Sequence, residues 1–330
     1  MGFYQNNTSL TMATVLITGG TGMIGRAITR ALLAKNYNVI TLSRKTGKKT
    51  PAVIVSEPGE NNLSYAQWSI KDQIIDKDAV EKADYIIHLA GADVSDKRWT
   101  KKRKQEIVDS RVKSGELIAK TLKENTNKVK AVLSSCGTGW YGPDSSIPNP
   151  HPFTEDDPAH DDFLGRTCEQ WQKCLEPVVD LGKRLVVFRT GMVLSNEGGG
   201  LKEFKKPVRF GIASILGTGK QMISWIHIDD LVRLYIAAIE NADINGAYNA
   251  VSPAPVSNKQ FILQLARINR GKLFIPIYVP SFLLKLIFGE LSTEVLKSAT
   301  VSCNKILDAG FAFSYPTIII ALKDLKAKGN

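Results

Sequence analysis

The seven residues GGTGMIG, Gly19 to Gly25, constrain this chain more than any other feature. They follow a short apolar run, TVLIT at 14–18, and lead into residues 24–35, where Ile24, Ile28, Ala31 and Leu32 recur at helical spacing. A strand that turns through glycines directly into a helix leaves few folds open. In Gly20-x-Gly22-x-x-Gly25 each glycine has a physical task. The early ones make the tight turn, Gly22 lets a pyrophosphate approach backbone, and Gly25 lets the helix pack close to the strand. The helix start then offers unpaired N–H groups and a positive dipole end to phosphate. Gly19, Thr21, Gly22, Met23, Ile24 and Gly25 are the expected dinucleotide contacts; the alternative is a bare strand–turn–helix packing motif.

The rest of the first half alternates in the same manner. Apolar runs at 38–43, 85–89, 131–134 and 185–188 predict further strands, and residues 101–123 and 161–181 predict helices between the last three. Strands alternating with helices imply βαβ units and a parallel sheet with right-handed crossovers. The expected class is α/β, a Rossmann-type doubly wound parallel sheet with a smaller C-terminal lobe on the substrate side. Residues 1–12 read as a disordered tail and 13–195 as the nucleotide-binding domain, to whose sheet later segments can add. Residues 196–330 form the smaller lobe, with helices near 229–240 and 258–268. The end of the second strand sets cofactor choice. An NAD-binding chain places Asp or Glu there; this one reads Ser43-Arg44-Lys45. A carboxylate would repel a 2′-phosphate, whereas Arg44 grips it with a charge-assisted fork and Ser43 adds a hydroxyl donor. The expected cofactor is NADP(H); the alternative is a solvent-exposed basic strand end.

Charge and cysteine usage narrow the class further. A net charge of +11 favours anionic partners. Six of the eight residues 97–104 are Lys or Arg, but no aromatics alternate through them, so a nucleic-acid surface is not expected. The run reads as the solvated end of a helix. Cys136, Cys168, Cys174 and Cys303 show no C-x-x-C spacing and read as reduced core residues. The most apolar late stretch, 273–288, is broken by Pro276, Pro280 and Lys285, too short to span a membrane, and is expected to dock as a helix. A cytoplasmic protein without a membrane span follows; its small-molecule substrate is unknown, and a protein partner remains open.

Several longer motifs carry a resemblance. TVLITGGTGMIGRAI resembles the extended short-chain dehydrogenase/reductases. HLAGADVSDKRWT (88–100), SCGTGWYG (135–142), RTGMVLSNEGGGL (189–201) and SWIHIDDL (224–231) resemble one atypical branch of that class. Its members are called sugar-nucleotide epimerases, the epimerase family, or cell-division-inhibitor SulA-like proteins. The tail from about residue 275, with GFAFSYP at 310–316, resembles that branch's small C-terminal domain of unknown function. The resemblance implies that Leu89 and Ala90 lie along the adenosine-side ribose and pyrophosphate. It links Glu106 and Arg111 to NADP, with Arg111 either reaching a phosphate or standing on a charged helical face. Val193 lines the nicotinamide side or packs in the core.

The wider class transfers protons with Tyr-x-x-x-Lys, whose side chains share one helix face. Here Phe163 holds the Tyr place, Thr167 the Lys place and Cys136 the associated Ser place. The catalytic residues are therefore unassigned. Tyr141 is a loose substitute or a packing aromatic, and Cys136 a nucleophile or a buried thiol. His227 and Asp229 form either a metal pair or a helix start capped by Asp229 or Asp230. No metal is expected, and His88 reads as a satisfied core residue. Two functions stay open: an NADP-dependent epimerase or oxidoreductase on an unknown, nucleotide-linked substrate, or a non-catalytic NADP(H)-binding module that signals to a partner in cell division; nucleic-acid or membrane-surface binding through residues 97–104 is a minor third option.

Overall fold

The structure is a computed structural model that describes residues 13–43 and 62–329. β1 (Thr14–Thr18), α1 (Met23–Ala34) and β2 (Asn38–Ser43) form the first βαβ half where the apolar periodicity places it. β3 (Leu63–Ser69) and β4 (Ile74–Ile75) follow, then α2 (Lys77–Lys82) and β5 (Tyr85–His88). β3 was not legible as a strand: LSYAQWS lies towards the sheet edge and buries only Trp68, so no apolar run marks it.

The long α3 (Lys101–Glu124) starts at Thr100, whose side chain accepts from Arg103 N, and leads into β6 (Ala131–Gly137). The helix expected over 161–181 is two helices, α4 (Phe163–Lys173) and α5 (Pro177–Asp180). Pro177 explains the break: it cannot donate to the preceding turn but suits a first helical position. β7 (Arg184–Thr190) and β8 (Met192–Leu194) come next.

The main sheet runs β4-β3-β2-β1-β5-β6-β7, and its eighth strand, β12 (Gly246–Ala250), pairs with β7. Every pairing is parallel except β3 with β4. The chain builds outwards from β1 to β3, then returns to β5 on the other side of β1. That reversal opens a crevice at the carboxyl ends of β1 and β5, where such sheets bind ligands. Ile28 and Leu32 of α1 and Leu117 and Ile118 of α3 pack with the strand residues in the main core.

A second core lies under the later elements. It gathers α6 (Gly200–Arg209), β9 (Ile212–Leu216), the short β10 (Met222–Ile223) and β11 (Trp225–His227) around Leu201, Ile215 and Trp225. After α7 (Ile228–Glu240) and β12, β13 (Val256–Ser257) enters α8 (Asn258–Arg270) through a reciprocal cap between Ser257 and Gln260. Residues 273–288 are not one docked helix. They form β14 (Ile275–Val279), parallel to β9, and α9 (Ser281–Phe288), separated by Pro280. The chain ends with α10 (Ser292–Leu296), α11 (Asn304–Asp308) and α12 (Ile318–Ala327). Asp230, fully buried in α7, accepts from Ser314 N and Tyr315 N at 2.9 Å each and pairs with Arg233, so SWIHIDDL anchors GFAFSYP. Among the described residues no helix is long and apolar enough to cross a membrane, and all four cysteines are free thiols.

Candidate functional site

The crevice at the β1/β5 reversal is a cleft of 1840 Å³. Gly19, Thr21 and Gly22 line one side, and Leu89 to Asp93 line the facing wall. The glycines divide by what the fold itself requires. Gly19 sits at φ +70° with its α-carbon against the Leu89–Ala90 backbone, and a Cβ there would stand 2.9 Å from the Leu89 carbonyl carbon. Gly25 is needed for packing, because its Cβ would lie 2.4 Å from Gly19 O and 2.6 Å from Gly20 Cα. Gly22 differs. Its φ of −73° suits any residue, and within 4 Å its Cβ would meet only Gly19 O, at 3.2 Å. It caps α1 with no side-chain hydrogen bond. The fold presses on a side chain at 22 far less than at 19 or 25, and beyond Gly19 O the space beside the helix start is open. A dinucleotide pyrophosphate fits that cradle.

A hydrogen-bonded network fixes the facing wall. Thr18 Oγ1 accepts from Leu89 N and Ala90 N at 3.2 Å and lies 2.8 Å from His88 Nδ1; His88 Nε2 lies 3.2 Å from Ser114 Oγ. Ser114 Oγ already donates to Ser110 O, so a neutral imidazole with its proton on Nε2 satisfies the chain of contacts. Burial and the Arg111 charge pull the His88 pKa down to about 3. Ser110 Oγ accepts from Ala92 N at 2.9 Å, and Arg111 donates to Ala92 O at 2.9 Å and Ile107 O at 3.1 Å. The Arg111 guanidinium sits behind Gly91 and over the Trp171 ring, 4.8 Å from its centroid. It is spent on holding the loop rather than extended toward a phosphate.

Glu106 lines the cleft and pairs with Arg103 at 2.7 Å, and Arg103 also donates to Asp93 O. Ser43 lines the end of the cleft beside β2; Arg44 lies outside the described residues. Trp68, Ile70, Lys71 and Gln73, at and beyond the end of β3, complete that end. Sequence reasoning missed all four because it missed β3. Met23 and Ile24 lie in the first turn of α1, and Met23 packs toward Gly198 and Gly199. Val193 lies in β8, paired with Ile226 of β11, and packs against the main core.

The chemistry-bearing places of the wider class are filled by inert groups. The Phe163 ring packs edge-on against Trp99, 4.8 Å between centroids, with Lys104 Nζ 5.0 Å from its own centroid. Thr167 Oγ1 donates back to Phe163 O at 2.6 Å. Tyr141 is fully buried; its phenol donates to Asn249 Oδ1 at 2.7 Å and accepts from Arg189 at 3.1 Å, and burial pushes its pKa up to about 12. Cys136 is buried against Cys168, and that contact and desolvation push its thiol up, away from thiolate chemistry. Both residues left open as proton or nucleophile donors are therefore held in the core.

His227 resolves differently from either expectation. Its own Nδ1 caps α7 by accepting from Asp229 N at 3.1 Å, so neither Asp229 nor Asp230 is the cap. Ligand atoms of His227, Asp229 and Asp324 do converge within 4.8 Å. Lys328 Nζ lies 2.7 Å from Asp229 and 2.9 Å from Asp324, so an ammonium already bridges the two carboxylates of the cluster.

Residues 15–163 match the model of the NAD dependent epimerase/dehydratase family, and residues 279–325 match a domain of unknown function, DUF1731. An epimerase family protein of Staphylococcus saprophyticus is 34% identical, covering 94% of this chain and 98% of its own length. The human epimerase family protein SDR39U1, solved with NADPH, superposes with a TM-score of 0.79 at 27% identity, covering 95% of this chain and 99% of that one. A nucleoside-diphosphate sugar epimerase from Corynebacterium glutamicum gives a TM-score of 0.73 at 30% identity, covering 95% of this chain and 58% of that one. With such a relative matched along nearly its whole length, the chain belongs to the epimerase family, a Rossmann-type epimerase/dehydratase domain followed by the C-terminal domain of unknown function.

Proposed function

We propose that the chain binds NADP(H) in the β1/β5 cleft and acts as an epimerase or oxidoreductase on a nucleotide-linked substrate, without a Tyr/Lys acid–base pair. The observation that carries this is the Gly22 cradle: a glycine whose Cβ position meets only Gly19 O, at a helix start without a side-chain cap, facing a large cleft. A bound nicotinamide would supply or accept hydride. The chain's own residues hold and orient it. Gly19 to Gly22 and the start of α1 receive the pyrophosphate, and Leu89 and Ala90, fixed by Thr18, form the opposing wall. Ser43, with Arg44 next in sequence, stands where a 2′-phosphate would lie. The NADPH complex of the human relative supports the cofactor, and the name of the C. glutamicum relative supports the substrate class.

Phe163 and Thr167 favour a second reading, a binding module that reports cofactor state to a partner. The two separate by turnover. The NADP(H)-loaded protein is incubated with a panel of nucleotide sugars, and proton NMR follows epimerised product while absorbance follows NADPH. Product from one sugar supports the enzyme. Tight NADPH binding with no turnover on the panel removes the enzyme reading and leaves the module.

A further inference from the structure

The smaller lobe carries an apolar surface that its own core does not use. α9, SFLLKLIF, is apolar except on the narrow face of Ser281 and Lys285, yet buries only Leu284. Phe282 is 72% and Leu286 70% exposed. A helix with so wide an apolar surface is normally enclosed by protein or lipid. The surface continues through β14. Register places Pro276 and Tyr278 beside the buried Ala213 and Ile215 of β9, so Ile275 and Ile277 point to the opposite, open face. Phe210, 83% exposed, and Leu273, 75% exposed, adjoin it at the Gly211 turn, where Ile275 N donates to Gly211 O.

Positive charge predominates around this surface. No Asp or Glu occurs from 244 to 289, while Lys259, Arg267, Arg270, Lys272 and Lys285 all fall there. Among the described residues no ion pair engages Arg209, Arg270, Lys272 or Lys285. The basic run 97–104 meets the far end of the same helix: Arg98 donates to Leu286 O, and Lys104 pairs with Glu290. Lys97, Arg98 and Lys101 of that run are exposed. An apolar helix flanked by cations matches the interface of an anionic bilayer, with the chains below and the headgroups around. A second copy of this chain fits less well. It would bring the same cations face to face, and Pro276 removes an N–H donor from the β14 edge that would add a strand.

We infer that this face, centred on Phe282 and Leu286 and rimmed by Arg98, Lys272 and Lys285, docks the protein on an anionic lipid surface. The inference is independent of what the cleft binds. The test is co-sedimentation of the full chain with phosphatidylcholine vesicles with and without phosphatidylglycerol, across a salt series. Pelleting should require phosphatidylglycerol and weaken with salt. Lys272→Ala/Lys285→Ala should reduce binding by about twenty-fivefold, at about fivefold per charge near the surface. Phe282→Ser/Leu286→Ser should reduce it by about tenfold or more, through lost apolar insertion. Both pairs are exposed, and melting curves check that the fold is kept. Absence of pelleting with phosphatidylglycerol, or pelleting unchanged in both double variants, overturns the inference. So does sedimentation velocity showing a dimer that Phe282→Ser/Leu286→Ser dissociates, because the face would then be a protein interface.

Discussion

Gly22→Val separates the cost of a side chain to the fold from its cost to the ligand. For the fold that cost is small. The backbone at 22 is in an ordinary conformation, and the new Cβ presses only on Gly19 O, at 3.2 Å. Valine is a poorer helix cap than glycine, a penalty of about 1 kcal/mol, which lowers the melting temperature by about 1–2 °C in a chain of this size. For the ligand it is large. The isopropyl group fills the space through which a pyrophosphate reaches the N–H groups at the start of α1. Losing two charge-assisted hydrogen bonds, at about 1.5 kcal/mol or more each, comes to about 3 kcal/mol, roughly a hundredfold in Kd. Gly25→Val is the contrasting control. Its Cβ would lie 2.4 Å from Gly19 O, so the helix must move off the turn, and stability and binding should fall together. The assay is NADPH titration by calorimetry, paired with melting followed by circular dichroism. A Gly22→Val protein that melts like the wild type and binds NADPH within about threefold of it would refute the assignment of this turn to the phosphates.

Arg44→Ala should weaken NADPH by about tenfold or more, a loss of about 2 kcal/mol, and leave NADH unchanged; equal loss for both in calorimetry removes Arg44 from the 2′-phosphate. Phe163→Tyr should not create NADPH-oxidising activity on alcohols, aldehydes or nucleotide sugars, because Thr167 supplies no ammonium to lower a phenol pKa of about 10. New turnover in that variant would show that a phenol alone suffices. Asp230→Ala should cost about 3 kcal/mol in urea unfolding, since it removes the buried carboxylate that accepts from Ser314 N and Tyr315 N and breaks the Arg233 pair; a loss below about 1 kcal/mol would show the GFAFSYP segment is anchored elsewhere. His88 should make the fold acid-sensitive. With its folded pKa pulled down to about 3, its contribution is complete above the unfolded value near 6.5 and is lost as pH falls from there toward 3. Between those limits the loss is about 1.4 kcal/mol per pH unit. His88→Gln should flatten the urea-stability profile in that window, and an unchanged slope would contradict the neutral assignment.

The main sheet and the phosphate turn were legible because both are local: apolar runs bounded by glycines, with a helix period between them. β3 was not, because a strand near the sheet edge with mostly half-exposed residues shows no apolar run. With it went Trp68 and Lys71, which complete the end of the cleft beside β2. The fates of Arg111, Tyr141 and His227 are decided by contacts distant in sequence. Arg111 is bent back onto Ala92 O, Tyr141 is tied to Asn249 of β12, and the ring of His227 turns to cap its own helix. Motif spacing carries no record of such contacts. The stretch 273–288 was misread because a short apolar run fits a strand or a helix equally, and Pro280 divides it into one of each.

The central claim is that the β1/β5 cleft is built for a dinucleotide carrying a 2′-phosphate. Calorimetric titration of the wild-type chain with NADPH and, separately, NADH tests it most directly. The account predicts one site per chain, with NADPH bound tighter by about tenfold or more, the value of one charge-assisted contact. Equal affinity for the two cofactors would contradict the 2′-phosphate reading, and no binding of either would contradict the claim itself.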